Sequence, residues 1–216
     1  QEIPTHIECF DNSNFQGTNA VAAMVCFING LADKSNYRRF NIKTVEGIND
    51  FASMKEIVFR RYLKIREEGL SFPDLIIIDG GKGQLSAAME SIQELGLTGK
   101  TTLVGLAKNK EEIFFPGDSR SIIMPWDGEG LKLIRRIRDE VHRFGITFHR
   151  NKRSKNALTT VLSTIKGIGE NSITALLQQY KTINNIKQAN PEELIRLIGL
   201  SKTRILLDGL QSLELN

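Results

Sequence analysis

Apolar and polar positions divide the chain into a strand-rich start, a mixed middle and a helical end. Over the first 45 positions, short apolar runs are separated by links rich in Asn, Gly and Asp, which predicts an antiparallel meander. The three predicted strands are Thr5–Asp11, Ala20–Asn29 and Ser35–Lys43.

A helical period follows the meander. Between Asn49 and Glu68 apolar residues recur at steps of three or four, which predicts an amphipathic helix. These apolar residues are Phe51, Met54, Val58, Tyr62 and Ile65. The aliphatic run Leu75–Ile78 comes next and is typical of a parallel strand that is buried on both faces.

The remaining patterns up to residue 148 continue this alternation. They predict a helix from Gln84 to about Leu95, a strand over 102–107, a hairpin around Pro116-Gly117 and a long helix over 131–148. This order predicts an α/β fold in which a mixed sheet carries helices on both faces. Ligands of such sheets bind at the carboxyl ends of the parallel strands.

The composition changes after Arg150. A polar and basic run at 151–156 predicts a linker, and the rest of the chain predicts short helices only. We therefore predict domains at 1–150 and 157–216. The second contains an approximate internal repeat, Thr164–Gly169 and Arg196–Ser201, each followed by a helix.

Composition excludes several classes of protein. With 40% apolar and 25% charged residues the chain is neither disordered nor collagen-like, and its apolar runs are too short to cross a bilayer. The start at Gln1 has no leader pattern, so we expect a fragment of a longer soluble polypeptide. Cys9 and Cys26 lie in apolar stretches, which favours buried, reduced thiols and a cytoplasmic location over a cross-strand disulfide.

The net charge of +4 is unevenly distributed. Residues 1–151 are neutral, whereas residues 152–216 hold nine basic and five acidic residues. The densest basic stretch, 132–155, holds nine basic residues against Asp139 and Glu140. Such a stretch indicates a polyanionic partner, although a solvated helix face running into a linker is the ordinary alternative.

Three aspartates stand where strands end or helices begin. Asp11 ends the first predicted strand, Asp79 ends the aliphatic strand and Asp50 starts the first long helix. If the first and fourth strands are neighbours, Asp11 and Asp79 converge on one cation, and paired carboxylates suit Mg²⁺ or Mn²⁺. Each also has an ordinary alternative, as a turn residue or, for Asp50, as a helix N-cap.

The loop Asp79-Gly80-Gly81-Lys82-Gly83-Gln84 joins the aliphatic strand to the next helix. Its glycines allow the backbone to approach a phosphate while Lys82 supplies charge, but the spacing is not that of a Walker A loop. A structural strand-to-helix turn explains the glycines equally well.

The long helix over 131–148 carries a polar stripe beside its apolar face. Arg135, Arg138 and His142 share this stripe, so His142 borders the core without pointing into it. A histidine beside arginines is suited to general acid–base chemistry or to phosphate contact, and a surface role is the alternative.

In the repeat, a Gly-Ile-Gly turn between short helices presents backbone N–H groups at a helix N-terminus, where they bind phosphate without reading bases. The turn is Gly167-Ile168-Gly169, with Lys166 before it, and the second copy keeps one glycine of two, Gly199. A glycine C-cap between packed helices is the alternative.

Several strings together resemble, in order and over nearly the whole chain, the C-terminal half of the UvrC family, the incision subunit of bacterial nucleotide-excision repair. The strings are Ile7-Glu8-Cys9-Phe10-Asp11, Gln16-Gly17-Thr18, Tyr37-Arg38-Arg39-Phe40, Asp50-Phe51-Ala52-Ser53-Met54, Asp79-Gly80-Gly81-Lys82-Gly83-Gln84, Gly105-Leu106-Ala107-Lys108 and Arg138-Asp139-Glu140-Val141-His142-Arg143-Phe144.

The resemblance implies a ribonuclease-H-like endonuclease domain followed by a tandem helix-hairpin-helix domain that binds DNA. By resemblance, Asp11 and Asp79 hold a divalent metal, Mg²⁺ or Mn²⁺, with Asp50 assisting and His142 in place of a last carboxylate. Lys82, Arg138 and Lys108 become candidate phosphate contacts. The predicted hairpin contacts are Lys166, Gly167, Ile168, Gly169, Gly199 and Lys202.

The implied function is the 5′ incision beside a lesion in double-stranded DNA. UvrB is the implied partner, through segments of the family outside this chain, and we expect a monomer that does not bind membranes. The alternative function is a non-catalytic DNA-binding module of a repair complex. A third hypothesis, a nucleotide-binding enzyme that uses the Gly80–Gly83 loop, predicts affinity for ATP.

Overall fold

A computed structural model describes residues 3–12, 21–45, 47, 49–107 and 112–212, and it describes the backbone alone for residue 21 and residues 148–157. The chain forms two compact units, Gln1–Phe148 and His149–Asn216. None of the described helices combines the length and apolar character that a membrane span requires.

The first unit is built on a mixed sheet that has eight strands among the described residues. The strands are β1 (His6–Asp11), β2 (Val21–Ile28), β3 (Leu31–Ala32), β4 (Arg38–Asn41), β5 (Leu75–Asp79), β6 (Thr102–Ala107), β7 (Glu112–Phe114) and β8 (Ser121–Ile122). Their order is β3-β2-β1-β5-β6-β7-β8, and β4 also pairs with β2.

The pairing directions confirm the predicted mixed sheet. β2 pairs antiparallel with β1 and with β4, as the meander predicts, and β7 pairs antiparallel with β8, as the hairpin predicts. β1, β5 and β6 are parallel, so the first strand and the aliphatic strand are neighbours. The expected convergence of their carboxyl ends is therefore confirmed.

The third predicted strand, Ser35–Lys43, is wrong at its start. Residues Lys34–Asn36 form a 3₁₀ turn, in which the Asp33 carboxylate accepts hydrogen bonds from the Ser35 backbone N–H at 3.2 Å and the Ser35 hydroxyl at 2.5 Å. A local bond of this kind competes with the strand ladder. The strand begins only at Arg38.

Three helices cover the two faces of the sheet. They are α1 (Asp50–Glu67), α2 (Lys82–Glu94) and α3 (Glu129–Thr164). Phe10 and Ile78 pack with α1 and α2 on one face, and Cys9 and Ile77 pack with α3 on the other. This division follows from strand geometry, in which successive side chains point to opposite faces.

Helix α3 is longer than its pattern predicts. It continues through the polar run 151–156, which we interpreted as a linker. That run contains neither glycine nor proline, so nothing in its sequence stops a helix. The domain limits that we placed at 150 and 156 stay a prediction.

The second unit contains helices and turns but no strand among its described residues, as predicted. After the end of α3 it contains α4 (Glu170–Tyr180), α5 (Ile183–Lys187), α6 (Pro191–Ile198) and α7 (Leu200–Ser212). Its core is aliphatic, and Leu162, Leu176, Ile186, Leu194 and Leu206 are fully buried in it. The unit therefore has a core of its own.

Candidate active site

Two carboxylates meet at the carboxyl ends of β1 and β5. Asp11 is the last residue of β1 and Asp79 the last of β5, and the parallel register pairs the one with the other. Both are almost completely buried, with 3% and 2% of their surface exposed. They continue the side-chain rows of Cys9 and Ile77, so both carboxylates are on the face that α3 covers.

His142 of α3 completes the cluster. Its Nε2 contacts Asp79 Oδ2 and lies 3.9 Å from Asp11 Oδ2. One ligand atom from each of the three residues lies within 4.8 Å of the others. The imidazole is 36% exposed while the carboxylates are buried, so the cluster opens to solvent past His142.

This cluster suits a divalent cation. Asp79 Oδ1 is buried and has no hydrogen-bond partner among the described residues, which is costly for a carboxylate oxygen unless a cation compensates. The Cys9 thiol is not a competing ligand, because burial and the charges of Asp79 and Asp11 hold its pKa well above the ordinary value. The two carboxylates supply the hard oxygen donors that Mg²⁺ or Mn²⁺ prefers.

Asp50 occupies the first position of α1 rather than its N-cap. The N-cap is Asn49, whose side chain accepts a hydrogen bond from the Ala52 backbone N–H at 3.0 Å. The Asp50 carbonyl accepts a hydrogen bond from Asn12 Nδ2 at 2.9 Å. Asn12, buried beside Asp11, therefore links the start of α1 to the end of β1. In the sequence, Asn12 is only the first residue of the link that follows the first predicted strand.

The two cationic candidates are bound to neighbouring groups. Lys82 Nζ donates to the Ser119 carbonyl at 2.9 Å and lies 4.7 Å from the centre of the Phe114 ring. Arg138 donates to the adjacent Asp139 at 3.1 Å and is 20% exposed. Lys108 lies outside the described residues.

The glycine loop before α2 has a structural explanation. A Cβ at Gly83 would lie 2.5 Å from Phe51 Cε1, so this glycine leaves room for the Phe51 ring. The Gly81 N–H donates to Gln84 Oε1 at 3.2 Å, which caps α2. Phe51, predicted to be a core residue, is 56% exposed because it packs on this glycine at the surface. These contacts favour the structural alternative over a nucleotide-binding loop.

The two glycine turns of the second unit differ in detail. In the first, Gly167 adopts a positive φ of 103° and Gly169 is the N-cap of α4. In the second, Gly199 has a positive φ of 86° and directly precedes α7. In the first turn, one glycine has the positive φ and another precedes the helix, whereas in the second turn Gly199 does both.

The side chains around these turns separate into anchors and exposed groups. Ile168 is buried in the aliphatic core and fixes the first turn. Lys166 and Lys202 are exposed beside the two turns, and α4 starts at Gly169 without a side-chain N-cap.

A ribonuclease-H-like endonuclease domain followed by a helix-hairpin-helix tandem is the class of protein that this fold and site define. The model of the "UvrC RNAse H endonuclease domain" matches residues 1–146, and that of the "SAM-like Helix-hairpin-helix tandem" matches residues 159–206. The chain belongs to the UvrC family.

Curated relatives agree with this assignment. The UvrABC system protein C of Cytophaga hutchinsonii is 57% identical over 97% of this chain, and that of Christiangramia forsetii is 55% identical over 94%. The chain spans about a third of the length of these relatives. Among solved structures, a Ciona intestinalis endonuclease V bound to a 24mer DNA matches at 18% identity and a TM-score of 0.34, over 63% of this chain and 56% of that one.

Proposed function

We propose that the chain is a divalent-metal-dependent DNA endonuclease that makes the 5′ incision beside a lesion in bacterial nucleotide-excision repair. The observation that carries the proposal is the cluster of Asp11, Asp79 and His142 at the carboxyl ends of two parallel strands in a UvrC endonuclease domain. The product ends would be a 3′-hydroxyl and a 5′-phosphate.

Asp11 and Asp79 would hold the cation, Mg²⁺ or Mn²⁺. A bound divalent ion supplies Lewis-acid stabilisation of the phosphate charge. Asp79 Oδ1, which has no hydrogen-bond partner among the described residues, and the adjacent Asp11 carboxylate would be its oxygen ligands. Asp50 would assist, since Asn12 fixes the start of its helix next to Asp11.

His142 would act on a proton at the reacting phosphate. Its imidazole is the exposed member of the cluster, and an imidazole beside two carboxylates can both hold and release a proton. It also takes the place of a third carboxylate and so spares the site one negative charge, which eases the approach of an anionic DNA strand. Lys82 and Arg138 are our proposed phosphate contacts, each after exchanging its present acceptor for the substrate.

The glycine turns of the second unit would bind the DNA backbone. Phosphates would approach the turns Gly167-Ile168-Gly169 and Gly199 at the starts of α4 and α7, with Lys166 and Lys202 alongside. The Ile168 and Gly199 N–H groups already donate to the Ile165 and Ile195 carbonyls, so these two residues would shape the turns rather than donate to phosphate. Contacts of this kind do not read bases, so the proposed ligand is damaged duplex DNA irrespective of sequence.

The relatives are named as components of the UvrABC system. We therefore propose that the whole protein acts with UvrB, through segments outside this chain. We also propose a monomer and a cytoplasmic location.

Replacement of one carboxylate tests the nuclease. Asp79→Asn keeps the shape but removes a cation ligand, so 5′ incision of lesion-containing DNA is expected to fall by more than about 100-fold, because even groups that only orient metal ligands contribute about 10–100-fold. DNA affinity is expected to persist. The control Glu67→Gln makes the same chemical change at an exposed site on α1 and should cut normally. Undiminished incision by Asp79→Asn would favour the non-catalytic DNA-binding module.

Metal binding is testable without cleavage. A ligand that binds only the folded state raises stability, by about 2.7 kcal/mol when its concentration is one hundred times its Kd. Mn²⁺ should therefore raise the unfolding temperature of the wild-type chain and of Glu67→Gln, but not that of Asp11→Asn or Asp79→Asn. An equal rise in all four would place the ion elsewhere.

A further inference from the structure

The chain has a single tryptophan, Trp126, and it lies on the surface. Its side chain is 76% exposed, although tryptophan is largely buried in most proteins. The Arg135 guanidinium stacks on the indole, 3.6 Å from the ring centre, and also donates to the Trp126 carbonyl at 3.2 Å. Arg135 therefore holds the exposed indole in one orientation. Because the side chain is already ordered, binding of a flat partner would cost little side-chain entropy.

The indole lies along the helix that carries His142. Arg135 precedes His142 by two turns of α3, so the two residues share one face of the helix and are separated by about 10 Å along its axis. Arg138 lies between them. A DNA strand bound at the Asp11–Asp79–His142 cluster and running along this face would consequently reach Trp126 within a few nucleotides.

The surface beside this face is basic. A groove of about 810 Å³ runs between α3 and the β2–β3 hairpin. Its charged lining comprises the basic residues Lys34, Lys132, Arg135, Arg136 and Arg143, against the acidic residues Asp139 and Glu140. The excess of positive charge suits a phosphate backbone, and a basic groove combined with an exposed aromatic ring is the usual design for binding single strands.

We propose that Trp126, backed by Arg135, stacks an unpaired nucleobase of the DNA strand that passes the nuclease site. The proposal rests on the proposed function for its ligand, DNA. Bases inside a duplex do not offer their faces to a protein, so the contact would form only where the strands are separated. It would make DNA with an unpaired segment a better ligand for this domain than a continuous duplex.

Trp126 is its own reporter, because no other residue contributes tryptophan emission. In the experiment the 216-residue chain, free of divalent cations so that DNA stays intact, is titrated with a duplex and with the same duplex carrying a short unpaired bubble. We expect the bubble DNA to quench the emission strongly and to shield the indole from iodide, and the continuous duplex to do neither. Unchanged emission at saturating bubble DNA would overturn the proposal.

Substitutions separate stacking from general attraction. Trp126→Ala is expected to weaken binding of bubble DNA by about 5- to 100-fold, the range for loss of one stacked base, and to leave duplex affinity within about twofold, measured by anisotropy of labelled DNA. Trp126→Phe should retain most of the affinity. The matched control is Ile123→Ala, which removes an apolar side chain that is 70% exposed three residues before Trp126 but has no aromatic face.

Three results would count against stacking: equal loss for both DNAs in Trp126→Ala, an equal loss in Ile123→Ala, or quenching by an acidic peptide in place of DNA. Failure of the stacking proposal can be distinguished from failure of the proposed nuclease function. Loss of incision in Asp79→Asn without any quenching removes only the stacking proposal, and quenching with normal incision in Asp79→Asn removes only the nuclease.

Discussion

Glu8 of β1 and Arg61 of α1 form a buried ion pair on the face of the sheet opposite α3. Arg61 donates to the two Glu8 oxygens at 2.5 and 3.3 Å, and the Tyr62 hydroxyl donates to the same carboxylate at 2.9 Å. Glu8 and Tyr62 are fully buried and the Arg61 side chain is 10% exposed. The pair links β1 to α1, and so holds in place the two elements that carry Asp11 and Asp50.

Removing the Glu8 charge should destabilise the first unit. Glu8→Gln leaves the Arg61 guanidinium buried without its counter-charge, and breaking a buried pair in this way costs about 3–5 kcal/mol. Urea unfolding followed by circular dichroism measures the loss in free energy of unfolding. The control is Glu90→Ala, which breaks the exposed pair with Lys55 and should cost no more than about 1 kcal/mol. Similar losses in both variants would contradict the assigned role of the buried pair.

The Glu8 carboxylate should also make the stability of the first unit depend on pH. Burial alone would raise the pKa of Glu8, but contact with His6, the hydrogen bonds and charge of Arg61 and the Tyr62 hydroxyl together place it below the ordinary 4.5. The unfolded chain thus binds the proton more readily, so the stabilisation is complete above about pH 4.5 and is lost as the pH falls through the lower folded value. Urea unfolding at stepped pH should show a steeper acid loss in wild type than in Glu8→Gln. Parallel curves would exclude Glu8 as the source.

Alanine substitutions can decide between the structural and phosphate-binding interpretations of the glycine loop. Gly83→Ala is expected to cost about 1 kcal/mol because the Phe51 ring must move, whereas in a Phe51→Ala chain it should stabilise α2 by about 0.5–1 kcal/mol. Gly81→Ala meets nothing within 4 Å and should fold normally. Unfolding of the single and double variants measures the coupling. A measurable affinity for ATP that Gly81→Ala abolishes would restore the nucleotide-binding hypothesis.

In the first hairpin, we expect one glycine to matter for DNA binding and the other for folding stability. A Cβ at Gly169 meets nothing within 4 Å, so Gly169→Ala should fold but obstruct phosphate at the start of α4 and weaken binding of all DNA sequences alike. Gly167→Ala is strained by its φ of 103° and approaches Ile205 at 3.2 Å, so it should lose about 1–2 kcal/mol of stability. DNA anisotropy at several salt concentrations and urea unfolding measure the two effects. Gln178→Ala, exposed on the same helix, is the control.

If Gly169→Ala weakens binding to some sequences and not to others, backbone recognition is wrong. If it binds like Gln178→Ala, the turn does not contact phosphate.

Local patterns predicted most of the fold because they depend on side chains that are close in sequence. The run Leu75–Ile78 is buried on both faces as its composition requires, and the period of α1 places Met54, Val58, Tyr62 and Ile65 in the core. Phe51 shares that period but is exposed, since a distant glycine, Gly83, provides its packing surface. The short strand β3 also escaped prediction, because its two residues lie within an apparent turn.

The candidate site was predictable in part. Strand ends identified Asp11 and Asp79, and their register confirms that the strands meet, whereas the catalytic roles stay predictions. Asn12, the Glu8–Arg61 pair and the stacking of Arg135 on Trp126 were not predictable. Each joins residues through the completed fold, and no local pattern in the sequence signals such a partner.

Asp11 and Asp79 are direct register partners in the sheet, so the candidate active site forms only when the sheet has folded. The two residues are far apart in the sequence and become neighbours only when β5 has paired with β1. A slip of one residue in that pairing would turn Asp79 to the opposite face of the sheet, away from α3 and His142. A nascent or misfolded chain therefore lacks the complete cluster of Asp11, Asp79 and His142. Correct pairing of β5 with β1 is thus a precondition for the candidate site to exist at all.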